Sequence, residues 1–407
     1  MDREALERRA HSVGELRRMA RRRLPRVVFD FVDGGAEEET TLKDNEAAFR
    51  ELSFWPKPLS GTGARDQSIL LFGHKLSLPV IIGPTGLSGM LWPRGEAEAA
   101  RAAAAAGTVW CMSHGSTITI EDLAREVPGP KWFQLFMYRD RELTRAFAER
   151  AQAAGYEALV LTTDNQVLGQ RERDLRNGFT IPPRLRLRQG LDLVRGLPWL
   201  LRMARTPGMT FANYVTDEKK DILSLGKHMA ELLDPSTSWR DVAWLREVWQ
   251  GPLLIKGILH PDEARAAIDH GVDGIIVSNH GGRQLDGAIA PVRALPLVAE
   301  TVDGRIPVLL DGGVRRGADV VKALALGATA CLIGRPHLWG LALAGQEGVA
   351  WTLEIYRREI DRVLALGGWE GVAALDRDAV VQPVGGMQPV PAARAAPRRA
   401  SAPSLTA

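Results

Sequence analysis

The chain has 407 residues, 45% hydrophobic and 25% charged, enough for one large or several average domains with a buried core. Its 52 Lys and Arg against 49 Asp and Glu leave a net charge of +3, too little to draw nucleic acid by charge alone. The cysteines, Cys111 and Cys331, exclude a disulfide scaffold and lack zinc-site spacing; each lies in an apolar run and is expected to be a buried, inert thiol.

In chain order, the opening MDREALERRA lacks the apolar stretch of a secretory leader. No run approaches the ~18 apolar residues that cross a bilayer, so a cytoplasmic protein is expected, any membrane contact being at its surface. Ser12 and Glu15 form a capping-box pattern, and Pro25 separates the arginine-rich helix that follows from a second one. From Leu78 onward, short apolar runs alternate with helical stretches. The expected strands are Pro79–Gly83, Thr108–Met112, Trp132–Phe136, Ala158–Thr163, Leu253–Lys256, Gly274–Ser278, Pro307–Leu310 and Thr329–Ile333. Between them lie helices such as Glu96–Ala106, Arg141–Ala154, Pro261–His270, Val292–Glu300 and Gly317–Leu326. Glycine follows most of them, as at Gly107, Gly155, Gly271 and Gly327, where a helix is stopped.

Apolar strands alternating with helices mean a parallel sheet covered by helices, and about eight such units mean closure. The expectation is one α/β domain over 1–384: a (β/α)8 TIM barrel, with N-terminal helices capping it over about 1–60. An insertion after the fourth strand, about 165–239, is too long for an ordinary loop. From about Gly385 the Pro-, Ala-, Arg- and Ser-rich tail (385–407) reads as disordered.

Catalytic groups in such barrels sit at the C-terminal ends of strands. The polar, glycine-rich residues gather there: Gln134, Thr162-Thr163-Asp164, Lys256-Gly257, Ser278 through Gln284, Asp311 through Gly317, and Gly334-Arg335. Glycines with Arg315 and Arg335 after the last two strands suit a phosphate. His280 suits proton transfer, Arg283 a carboxylate, and Asp164 the charge of an imidazolium. Lys256 could form a Schiff base or serve as a fixed cation; composition alone leaves both open.

The segment Ser278-Asn279-His280-Gly281-Gly282-Arg283-Gln284 resembles the active-site signature of the FMN-dependent L-2-hydroxy acid oxidases and dehydrogenases, the family of glycolate oxidase, L-lactate dehydrogenase and (S)-mandelate dehydrogenase. The similarity runs from about Leu24 to about Gly368. Gly86 and the stretch Leu161 to Asp164 with Gly169 to Leu175 look most like the mandelate dehydrogenase branch. The resemblance implies that Pro84, Thr85, Gly86, Ser113, Gln134, Thr162 and Ser278 line the FMN ring, with Lys256 as a fixed cation beside it. Asp311, Gly313, Arg315, Gly334 and Arg335 would hold the ribityl phosphate. His280 would be the base, Asp164 its partner, and Arg171 and Arg283 the clamp on the substrate carboxylate. It leaves open whether His280 takes the C2 proton or the hydroxyl proton.

Three departures from the family pattern stand out. Phe31 and Phe136 replace tyrosines that bond the substrate, and Gly115 after His114 replaces a large aromatic, which is expected to widen the pocket mouth. A bulky or aryl 2-hydroxy acid is the expected substrate, with quinone or O2 as electron acceptor. Two alternatives are an O2-dependent oxidase and a catalytically weakened flavin-binding protein acting in an assembly. An isopentenyl diphosphate isomerase of type 2 fits His280 and Arg283 poorly. The resemblance also implies a homo-oligomer, a tetramer. The cationic and apolar segment 185–203 is expected either to touch a membrane surface or to pack on the barrel as a lid.

Overall fold

The structure is a computed structural model and describes residues 1–179, 196–204, 210–214, 231–383 and 387–389. Eight parallel strands close into a barrel: β1 (Val80–Ile82), β2 (Trp110–Ser113), β3 (Lys131–Phe136), β4 (Ala158–Thr162), β5 (Leu253–Ile258), β6 (Gly274–Val277), β7 (Val308–Leu310) and β8 (Ala330–Ile333). Pairing of Cys331 with Val80 and of Ile333 with Ile82 joins β8 to β1 and closes the ring. Each expected strand is found within two residues of its expected ends, because a run of buried apolar residues is what a doubly covered strand requires.

Strand periodicity divides the side chains into two layers. Ile81, Cys111, Trp132, Val160, Leu254, Ile276, Leu309 and Leu332 pack together inside the barrel as a dry floor. Their neighbours, such as Ile82, Met112, Phe133, Leu161, Ile255 and Val277, belong instead to the larger core shared with the helices. Two residues beyond the floor on each strand come Gly83, Ser113, Gln134, Thr162, Lys256, Ser278, Asp311 and Gly334. One period of two thus places a polar layer directly above an apolar one. Both cysteines are free and buried, and burial raises both thiols.

The barrel's other end is covered by a hairpin, Ile69–Leu71 with His74–Leu76, whose Leu71 and Leu76 join the floor. The four glycines expected to stop helices all have positive φ. The tail departs from its expected disorder at Met387–Pro389, which pairs antiparallel with Val380–Pro383; residues 390–407 lie outside the described residues.

Four N-terminal helices precede the barrel: α1 (Arg3–Glu7), α2 (Val13–Arg23), α3 (Arg26–Asp33) and α4 (Thr40–Arg50). The Ser12 hydroxyl accepts from Glu15 N, but the Glu15 carboxylate accepts from His11 N at 2.7 Å, one residue before the expected partner. Such a cap stabilises a helix by about 1 kcal/mol. The turn after α3 crosses the barrel mouth: Ala36 N donates to Gly282 O and Glu37 N to Gln170 O, each at 2.8 Å. Arg17 grips Asp33 with two bonds of 2.6 and 2.8 Å, tying α2 to the end of α3.

Candidate active site

The polar layer opens into a cavity of about 550 Å³ at the C-terminal mouth, inside the size range of small-molecule sites. Near its centre Lys256, 4% exposed, donates to Ser278 Oγ at 2.8 Å and lies 3.1 Å from Asp311 Oδ2. Burial disfavours the ammonium, but Asp311 and Asp164 outweigh it and raise its pKa, so Lys256 is a fixed cation rather than a neutral amine. The ion pair with Asp311 favours the fixed cation over the Schiff base. Among the described residues, Gln134 Nε2, Thr162 Oγ1 and Asp311 Oδ1 are buried without hydrogen-bond partners, although their residues line the cavity. Buried polar atoms are rarely left so, and a planar heteroaromatic ring carrying a polyol chain would satisfy donors and acceptors of this kind.

Beyond Asp311 the wall is built for an anion. Gly313 has φ +84°, and a Cβ there would lie 2.0 Å from Asn45 O, so only glycine lets this loop meet α4. Gly334 caps the ten-residue helix Arg335–Ala344, which starts beside it. Arg315 reaches the cavity and pairs with Glu46 at 3.0 Å. Arg335 spends three of its donors on backbone carbonyls: Nε on Val32, Nη1 on Gly281 and Nη2 on Gly34. The sequence suggested a free phosphate grip, whereas this side chain also fastens the α3 turn to the mouth.

His280 lines the same cavity. Its φ of +58° is uncommon for a non-glycine residue and turns the side chain into the cavity. Nδ1 lies 2.7 Å from Asp164 Oδ1, which accepts its hydrogen and leaves Nε2 as the acceptor facing open space. Burial alone would raise the Asp164 pKa, but His280 and Lys256 together lower it, so a carboxylate stands behind the imidazole. Gly257, at φ +111°, makes that approach possible: a Cβ there would lie 2.8 Å from Asp164 Cβ. The bulge between Lys256 and Ile258 re-aims the strand at the same place.

Arg283 and Arg171 flank the ring of Phe31, their Cζ atoms 5.5 and 5.7 Å from its centre. The Phe179 ring stacks parallel to that of Phe31, their centres 4.3 Å apart. Arg283 Nη1 donates to Phe31 O and Gly34 O near the C-terminal end of α3, leaving Nε and Nη2 for a ligand. Arg171 pairs with Asp174 at 2.9 Å. Burial, then the cations Arg171 and Arg335, lower the Arg283 pKa far below its usual value. So crowded a set of guanidiniums is relieved by an anion in the cavity.

One expectation about this wall changes. Gly115 does not simply widen the mouth, because the Phe211 ring takes up part of that space, 3.4 Å from where a Cβ would stand. Of the 185–203 segment, 185–195 lie outside the described residues. The helix Leu197–Met203 docks through buried Trp199, whose Nε1 donates to Met90 O at 2.8 Å, while Leu197 and Leu201 are half exposed.

The sequence placed Gly257 at a strand end without a role for it, and did not single out Phe179, Phe211 or the reciprocal amide pair Asn45–Asn279 (2.8 and 2.7 Å) that ties α4 to the His280 loop. A lone Asn or Gly carries no periodic signal, though the Lys256-Gly257 step at a strand end is a recognisable bulge cue.

Fold and mouth together fit the class of (β/α)8 barrel enzymes that hold a phosphate-bearing group and an anionic substrate. Residues 20–382 match the FMN-dependent dehydrogenase family. The chain is 42% identical over 368 residues to (S)-mandelate dehydrogenase of Pseudomonas putida, covering 90% of this chain and 93% of that one. It is 40% identical over 368 residues to glycolate oxidase of Spinacia oleracea, covering 90% and 94%. A crystal structure of the monotopic membrane protein (S)-mandelate dehydrogenase superposes with a TM-score of 0.88 at 41% identity, covering 91% of this chain and 99% of that one. The chain belongs to the FMN-dependent dehydrogenases, and its cofactor is FMN. Among the described residues no helix is long and apolar enough to cross a membrane.

Proposed function

We propose that this protein oxidises a bulky (S)-2-hydroxy acid, aryl or long-chain, to the 2-oxo acid and passes the electrons to a quinone or another external acceptor. The observation that carries the reading is the His280–Asp164 pair at 2.7 Å, with His280 lining the cavity that Arg171 and Arg283 also line. The relatives named above carry mandelate and glycolate in their printed names. The apolar rings of Phe31, Phe136, Phe179 and Phe211 favour a large side chain over a methyl group.

Ser113, Gln134, Thr162, Lys256, Ser278 and the Pro84-Thr85-Gly86 backbone would hold the FMN ring; Asp311, Gly313, Arg315, Gly334 and Arg335 would hold its ribityl phosphate. FMN, when bound, supplies the two-electron acceptor. Arg283, with its free Nε and Nη2, binds one face of the substrate carboxylate, and Arg171 the other. The acid's C2 then lies near His280 Nε2, the acceptor that takes a proton during oxidation. Asp164 keeps Nδ1 protonated and stabilises the imidazolium that results. The dry floor of Trp132, Val160 and Leu254 excludes water from beneath the site and strengthens each of these charges.

The half-exposed Leu197 and Leu201 support peripheral contact with a membrane, where a quinone would be reached. Deleting 185–203 and fractionating cells tests this; an unchanged distribution favours a lid. By family resemblance the working form is a homo-oligomer, a tetramer. The main test is anaerobic: yellow holoenzyme mixed with (S)-mandelate bleaches, and more efficiently than with (S)-lactate. A clear preference for lactate overturns the substrate class, and no bleaching by any 2-hydroxy acid overturns the activity.

A further inference from the structure

Where β2 ends, His114 lines the cavity, and two phenols that the reaction above does not use, Tyr138 and Tyr214, bond it. His114 Nδ1 lies 2.5 Å from Tyr214 Oη and 3.0 Å from Tyr138 Oη, and the two phenols bond one another. His114 and Tyr138 are buried, and the imidazole meets the Phe136 ring edge-on at 4.3 Å.

Counting hydrogens fixes the tautomer. If Nδ1 accepts from one phenol, the other phenol donates to the first, and every hydrogen in the triangle is used. If Nδ1 carried a hydrogen instead, one phenol O–H would be left over, because neither phenol has another acceptor among the described residues. Leaving it unpaired costs more than the bond gains. Burial, then His280, hold the His114 pKa down at about 3, so the ring is neutral and its hydrogen sits on Nε2. Nε2 has no partner among the described residues and is not sealed by protein, and the cavity is the open space that His114 lines. A fixed N–H donor therefore enters a lobe otherwise formed by Phe136, Phe211 and Gly115.

We propose that His114 is a specificity-determining residue: its Nε2–H donates to a hydrogen-bond acceptor on the side chain of the 2-hydroxy acid. This rests on the hydroxy-acid reading above and narrows it to acids whose bulky group carries an ether, hydroxyl or carbonyl oxygen. Tyr138 and Tyr214 are positioning residues that hold the tautomer. Burying the donor against a hydrocarbon leaves it unpaired, which is how such a site discriminates.

The test uses the FMN-loaded full chain and near-isosteric pairs, 3- and 4-methoxymandelate against 3- and 4-ethylmandelate. The wild type should favour the methoxy member of at least one pair by about tenfold in kcat/KM. The same preference should appear in the Kd of the corresponding 2-oxo acids, read from the visible absorbance of the oxidised flavin. H114F should bring both ratios to near one. Because that variant could perturb folding, Y138F/Y214F provides the second arm: it leaves the imidazole in place but frees its tautomer, and the ratios should fall at least threefold. Ratios near one in the wild type, or ratios unmoved by both variants, overturn the proposal. If no member of either pair reduces the wild-type flavin, it is the hydroxy-acid reading that fails instead.

Discussion

Replacing Asp164 by Asn removes one charge and almost no volume, so it isolates what the carboxylate does for His280. The Nδ1–Oδ1 bond is 2.7 Å, the Asp164 side chain is 12% exposed, and Oδ2 has no hydrogen-bond partner among the described residues. Little solvent therefore screens the pair, and few other bonds would compensate for its loss. A hydrogen bond to a charged group is worth about 1.5–3 kcal/mol. The bond strengthens as His280 becomes cationic, so most of that loss falls on the transition state. At about 1.4 kcal/mol per factor of ten, the rate of flavin reduction should fall roughly 10- to 150-fold. The apparent Kd for the acid should move less than about threefold, because Arg171 and Arg283 are untouched. Anaerobic stopped-flow bleaching at saturating (S)-mandelate measures the two separately. A rate loss under threefold, or a loss confined to Kd, would refute the reasoning, and Asp164 would then be a structural neighbour only.

Phe31→Ala should raise the apparent Kd for the acid by about 2- to 30-fold, because Arg171 and Arg283 both rest on that ring; an unchanged value in the same titration contradicts the wall described here. Gly313→Ala should weaken FMN retention at least tenfold in a fluorescence titration of the apoprotein, since the new Cβ would overlap Asn45 O. Asp33→Asn should lower stability by about 1–3 kcal/mol, towards the smaller value because its partner Arg17 is 45% exposed. Burial pushes the Asp33 pKa up, but Arg17, Arg335 and Arg173 outweigh it and hold it below the usual carboxylate value. A depressed native pKa means this contribution is complete above the unfolded value near ~4 and disappears as pH falls through the native one. The Tm gap between wild type and variant should therefore be widest near neutrality and close below about pH 4; a gap that widens in acid is the contrary result.

Much of the barrel and its cofactor layer could be read along the chain because both follow from a repeat of two. The residues that form the floor and those two positions beyond it lie on the same strands, and an apolar strand ending in a polar residue is a local pattern. His280, Asp164 and Lys256 were legible for that reason: each sits at or just past a strand end, where barrel geometry faces the mouth.

What the chain order could not reveal is which distant groups share one space. Phe211 fills the room that Gly115 leaves, Arg335 fastens the α3 turn, and Tyr138 and Tyr214 close on His114 across 24 and 100 residues of sequence. None of these follows a period, because loops take their path from the surfaces they pack on rather than from their own repeat. The sequence by itself determined a parallel barrel with a polar mouth above an apolar floor. Only the tertiary structure decided which side chains close that mouth and where their hydrogens point, since hydrogen-bond partners are set by proximity in space.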